Sequence, residues 1–164
     1  MKKYLILLAL AIMPFVATNA QIAGKSSDPS VEFVIKRVTD MGNGSFRINL
    51  YITNHGKEDL RDVQFESSEY NSKRLSQAYD DEGVVYNSQS WFMIVDGKRL
   101  KYPYPHSGYY ELPTDVPVKF LIDIDNVDEF ATAFLRLDLI LTHNTGQYTH
   151  IYCQFNKVPL PRNQ

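Results

Sequence analysis

From residue 46 the chain alternates: Phe46, Ile48, Leu50 and Ile52 are apolar, and Arg47, Asn49, Tyr51 and Thr53 stand between them. Successive side chains of a strand point to opposite faces, so a period of two commits this segment to a sheet with one buried face and one wet face. The period returns in Val118, Phe120, Ile122 and Ile124, then in Leu135, Leu137, Leu139 and Leu141, and last in Thr149, Ile151, Cys153 and Phe155. No stretch carries the apolar spacing of an amphipathic helix.

Between these runs stand residues suited to turns. Met41-Gly42-Asn43-Gly44 joins residues 31–39 to the first alternating strand, since Asn and Gly accept the positive φ of a tight hairpin. Residues 54–59 read as a polar turn before Leu60, Val63 and Phe65. A second hairpin is predicted over residues 75–86, with Asp80-Asp81-Glu82-Gly83 as its turn, and residues 90–95 continue as a strand. Residues 98–117 hold four prolines and form the longest predicted loop, with residues 109–112 a short edge strand. Asn144-Thr145-Gly146 joins the last two strands. Residues 126–132 suit a single helical turn, capped by Asp125 or Asn126. The expected fold is all-β: a two-sheet antiparallel β-sandwich of seven to eight strands with one short helical cross-over. An up-and-down barrel is the alternative, with more evenly spaced strands and no helical corner.

The start of the chain has a different character. Lys2 and Lys3 precede an apolar run over residues 5–16, and Ala17-Thr18-Asn19-Ala20 is a small-residue end that allows cleavage before Gln21. The run is shorter than the roughly 20 residues that span a bilayer, so residues 1–20 read as a secretory signal peptide and the mature chain is expected to carry no membrane span. The sole cysteine, Cys153, lies far from the cleavage region, which excludes a lipoprotein anchor. Residues 21–30 are small and polar and read as a flexible leader, residues 31–158 as the sandwich, and residues 159–164 as a tail. With 164 residues in all, 44% hydrophobic and 22% charged, the composition is that of one globular domain with its own core. Loss of Lys2 and Lys3 makes the formal charge of −2 two units more negative. An acidic exported chain has no basic surface for phosphate backbones, so nucleic acid is excluded as a partner. One cysteine cannot form an internal bridge, so packing must hold the domain together.

The run over residues 78–86 (Ala-Tyr-Asp-Asp-Glu-Gly-Val-Val-Tyr), followed by Val116-Pro117-Val118-Lys119-Phe120 and the leucine-rich strand over residues 134–141, resembles the immunoglobulin-like (telokin-like) sandwich domains of exported bacterial proteins. The resemblance spans roughly residues 31–156. It implies an extracytoplasmic sandwich and brings no catalytic residues with it. The paired cysteines of antibody-type domains are missing.

Chemistry-bearing motifs are sparse. The sequence holds no Gly-x-Ser-x-Gly elbow, no phosphate-binding Gly-rich loop and no His-Glu-x-x-His pair. Cys153 falls on an apolar strand face, where a thiol is desolvated and inert. His55, His106, His143 and His150 are scattered. Asp123, Asp125, Asn126, Asp128 and Glu129 gather hard oxygens that suit calcium, with Asp80, Asp81 and Glu82 as a second acidic loop, but the spacing fails as an EF-hand. The alternative is a solvated cap and turn, and no cofactor is expected. Nothing fixes two carboxylates across a cleft for glycoside hydrolysis. The aromatic segment offers more. Trp91, Tyr102, Tyr104, Tyr109 and Tyr110 present flat amphipathic rings, several set by prolines. Either they stack on sugars or anchor a protein partner, or they plug the ends of the sandwich. The sequence thus points to a non-enzymatic exported domain, periplasmic or extracellular, whose partner is another envelope protein or a glycan.

Overall fold

In a computed structural model, residues 21–65, 76–95, 98–101, 110–144 and 148–162 are described. The expected signal peptide, residues 1–20, lies outside them. The fold is all-β and sandwich-like, with two antiparallel sheets. Its strands are β1 (Ile22–Ala23), β2 (Lys25–Ser26), β3 (Val31–Gly42), β4 (Ser45–Asn54), β5 (Leu60–Phe65), β6 (Gln77–Asp80), β7 (Val85–Asn87), β8 (Phe92–Val95), β9 (Lys98–Lys101), β10 (Tyr110–Leu112), β11 (Val118–Ile124), β12 (Ala133–Asn144) and β13 (Tyr148–Pro159). One sheet runs β1-β3-β4-β11-β8-β9. The other runs β10-β5-β12-β13-β2, with β6 also on β12 and β7 on β6. Among the described residues these are thirteen strands, seven of them pieces of two to four residues.

The alternating residues do what their period requires. Phe46, Ile48, Leu50 and Ile52 of β4 are fully buried, facing the interior beside Phe120, Ile122 and Ile124 of β11, while Leu137, Leu139, Leu141, Ile151, Cys153 and Phe155 close the core from the other sheet. At about 25 cal/mol per Å² of apolar surface removed from water, this shared interior is the dominant favourable contribution to folding. One expected core residue is misplaced. Leu135 is 49% exposed, because a bulge between Phe134 and Arg136 inserts one residue and turns Phe134 inward in its place.

Both ends of the domain extend beyond residues 31–158. Residues 21–30 are no loose leader: β1 pairs with β3 through Ile22–Ile35 and Ala23–Val34, and β2 pairs with β13. The chain passes from one sheet to the other at Gly24, where an added Cβ would lie 2.3 Å from Cys153 Sγ and 2.9 Å from the Phe155 ring. Only a residue without a side chain permits that approach. In the expected tail, Leu160 is buried and donates its N–H to Thr132 O. Arg162 covers the Phe46 ring and donates to Ala131 O and Asp128 O.

The cross-over of residues 125–132 is a chain of turns rather than a helical turn. Asn126 takes φ +57°, outside the helical and cap regions alike. Asp128 Oδ1 instead accepts from Phe130 N, and Ala131 N donates to Asp128 O. Among the described residues the one helical element is a 3-10 turn at Ser88–Ser90. Residues 98–101, expected as the start of a loop, form β9 in register with β8, while Tyr110–Leu112 is the edge strand foreseen, lying against β5.

Candidate functional site

The aromatic segment divides. Trp91 is 0% exposed and offers no face to a ligand. Its position follows the 3-10 turn, where Trp91 N donates to Ser88 O and fixes the chain as it enters β8. Tyr110 is half-buried and sets its ring edge-on to Phe120 at 5.2 Å, and Phe120 in turn meets Phe65 at 5.1 Å. Trp91 belongs to the core and Tyr110 packs against it, the alternative role of such aromatics. Tyr102, Tyr104 and Tyr109 lie outside the described residues.

The acidic group is drawn into ion pairs. Asp123 points to the wet face of the six-stranded sheet yet its side chain is only 3% exposed, because two arginines roof it. Arg47, directly across from it on β4, donates Nε to Oδ1 at 2.7 Å and Nη2 to Oδ2 at 2.9 Å. Arg99 of β9 donates Nε to Asp123 Oδ2 at 3.1 Å and Nη2 to both oxygens of Asp125. The Arg99 guanidinium stacks 3.7 Å above the centre of the Phe92 ring, and Ser45 Oγ donates to Asp125 Oδ1. Burial pushes the Asp125 carboxyl up, but its bonds from Arg99 and Ser45 outweigh this and hold it below the usual range.

The second acidic loop is bonded to its own turn and to the cross-over. Asp80, 2% exposed, accepts Glu82 N and Val84 N on one oxygen and the Tyr86 hydroxyl on the other. Tyr86 Oη also accepts Asp128 N at 2.9 Å. Asp81 accepts the Thr132 hydroxyl, Thr132 N and Ala133 N, and these bonds keep its carboxyl below the ordinary range. Asp128 faces the turn it closes. The oxygens expected to gather around calcium are thus divided between arginines and backbone N–H groups, and among the described residues no three His, Cys, Asp or Glu side chains sit together as a metal site.

The other titratable groups are equally separate. His55 Nδ1 lies 2.9 Å from Asp115 Oδ1, which with Glu32 raises its pKa. His143 is buried on β12, and desolvation lowers its pKa. His150 Nδ1 pairs with Thr142 Oγ1 on the neighbouring strand. His106 lies outside the described residues. Burial pushes the Cys153 thiol far up, so it stays protonated and unreactive.

One concave surface was not foreseen. The wet face of the six-stranded sheet carries an open cleft of about 370 Å³ lined by Gln21, Lys36, Arg37, Asn49 and Tyr51. Alternation on β4 projects Asn49 and Tyr51 outward, and β3 supplies the two cations beside them. Lys36 Nζ lies 5.5 Å from the centre of the Tyr51 ring, a cation–π contact. The polar half of the β4 pattern was the available signal, but its neighbours on β1 and β3 appear only once the sheet forms. Compared with known proteins, the chain matches no family model and no curated protein.

Proposed function

We propose that the chain is exported, released after Ala20, and works as a non-enzymatic immunoglobulin-like binding domain of the bacterial cell envelope. The observation that carries this reading is the cleft on the wet face. It combines an aromatic ring, two amides and two cations on a rigid sheet, which recognises acidic or polar groups of a protein surface and supplies no nucleophile with a base in reach. The acidic residues outside it are engaged in holding the domain together. The chemistry they would otherwise offer is spent on structure. The glycan reading at the Tyr-rich segment loses Trp91 and Tyr110 as stacking faces and rests on Tyr102, Tyr104 and Tyr109 alone.

The test is crosslinking in the native envelope, with a photoreactive side chain at position 49 or 51 and a control at position 152 on the opposite sheet. A discrete protein adduct from positions 49 and 51, absent from 152, supports the reading. Recovery of the chain in the cytoplasm with residues 1–20 attached overturns export. Turnover of ester or glycoside substrates by the purified chain overturns the non-enzymatic role.

A further inference from the structure

Gln21 is the residue that cleavage after Ala20 would expose, and its place in the fold is unusual for a new chain end. Ile22 pairs with Ile35 and packs against the core, and Ala23 pairs with Val34. This register carries Gln21 to the level of Lys36 at the sheet edge, where it lines the same cleft as Lys36 and Arg37 and remains exposed. A free α-amine here would share that cleft with the side chains of Lys36 and Arg37, and in its neutral form an amine is a nucleophile.

We propose that Gln21 is a modification site: once cleavage frees it, its α-amine closes on its own side-chain amide, and the mature chain begins with a pyroglutamyl lactam in the cleft beside Lys36, Arg37 and Tyr51. The inference rests on the exported reading given above. The neutral α-nitrogen attacks Cδ of the same residue, the new Cδ–N bond closes a five-membered ring, and the Cδ–Nε2 bond breaks. One proton from the α-nitrogen leaves with the amide nitrogen as ammonia. No electron is transferred and no co-reactant is consumed. Amine and amide belong to one side chain, so the step has the advantage of an intramolecular reaction. Exposure of Gln21 leaves room for the leaving ammonia. Cyclisation removes the terminal positive charge from a cleft that already holds Lys36 and Arg37 and leaves a neutral lactam there. The product also has no free amine, so an aminopeptidase cannot begin at β1, whose pairing closes the edge of β3.

The experiment is intact-mass and N-terminal peptide mass spectrometry on the processed protein isolated from the cells that natively produce it, with stepwise N-terminal degradation alongside. The expected product begins at residue 21, weighs one ammonia less than the unmodified chain and gives no degradation signal. A chain beginning at Gln21 with its full mass and a readable terminus overturns the lactam and leaves export standing. A chain beginning at another residue overturns the lactam, and only a chain that keeps residues 1–20 overturns export with it. Gln21→Ser, which cannot cyclise, should restore the degradation signal in full and lose resistance to aminopeptidase; a blocked terminus in that variant would also overturn the assignment.

Discussion

At the turn between β6 and β7, Asp80 and Asp81 are held by backbone N–H groups and hydroxyls, whereas on the wet face of the other sheet Asp123 and Asp125 are held by guanidinium groups. Both corners looked alike in the sequence, as clusters of hard oxygens. In the first, the carboxylate shapes the chain that bears it, closing a turn and tying it to the cross-over through Tyr86 and Thr132. In the second, it joins three strands that are distant in sequence, and its charge is matched by two cations. A carboxylate's role is set by what faces it, and the two kinds of partner differ in how they fail when removed.

The largest effect is expected at Asp123. Asp123→Ala removes a carboxylate only 3% exposed that accepts three charged hydrogen bonds from Arg47 and Arg99, themselves 27% and 41% exposed, at a cost of about 3 kcal/mol. Urea denaturation measures it. The double change Arg47→Met with Asp123→Leu should recover most of that loss, since well-packed apolar residues replace such pairs at little cost. A double variant no better than the single would mean that the charges carry the corner.

Asp80→Ala comes next, at about 2 kcal/mol, because two backbone N–H groups and one hydroxyl lose their acceptor. Asp80→Asn should cost less, since its amide oxygen still accepts from the turn. Equal losses in the two variants would show that charge, and not hydrogen bonding, matters at this corner too, erasing the contrast.

Tyr86→Phe removes one buried hydroxyl that both donates and accepts, a loss of about 1 kcal/mol at neutral pH. It should also change the alkaline limb. Desolvation and the bond to Asp80 push the Tyr86 pKa up to about 12, from 10.0 for an ordinary phenol. The unfolded chain therefore gives up this proton first, and native stability falls as pH rises from 10.0 to about 12. Tyr86→Phe should flatten that fall; an unchanged alkaline limb would remove Tyr86 from it.

Asp81→Asn should lower stability at neutral pH and converge on the parent chain in acid. Its carboxyl is held below the ordinary value of 3.8, so its contribution is present above that pH and is lost as pH falls through the lower folded-state value. Comparison of acid unfolding midpoints should show a shallower acid limb in the variant, and a parallel curve would mean that Thr132 gains nothing from the charge. The smallest effect expected is none. Calcium at about 1 mM, enough to fill the weaker extracellular class of sites, should leave the melting temperature unchanged, and a rise would reopen both corners as a cation site.

Much of this could be read along the chain. The hairpin after β3 was legible because Asn43 and Gly44 take positive φ, as does Gly83 in the turn after β6, and few other residues do so cheaply. The edge strand at residues 110–112 was legible from the prolines around it. What failed to show was whatever depended on a partner far away. Two-residue strands have no period, so β1 and β2 look like loose polar chain until Gly24 is seen against Cys153. A bulge leaves no mark in the alternation of Leu135 to Leu141, and it exposed Leu135. Trp91 and Tyr110 had the composition of a binding surface, yet Trp91 is fully buried and Tyr110 is half-buried against the core.

By itself, then, the sequence determined that this chain is built of strands, where its main hairpins turn, and which face of each long strand is apolar, because those properties depend on neighbours two to four residues apart. The tertiary structure alone decided which charges meet, which aromatics are covered, and that Gln21, Lys36, Arg37, Asn49 and Tyr51 share one cleft. Each of those facts requires strands remote in sequence to be laid side by side, and cross-strand register is fixed only when both sheets bury their apolar faces together.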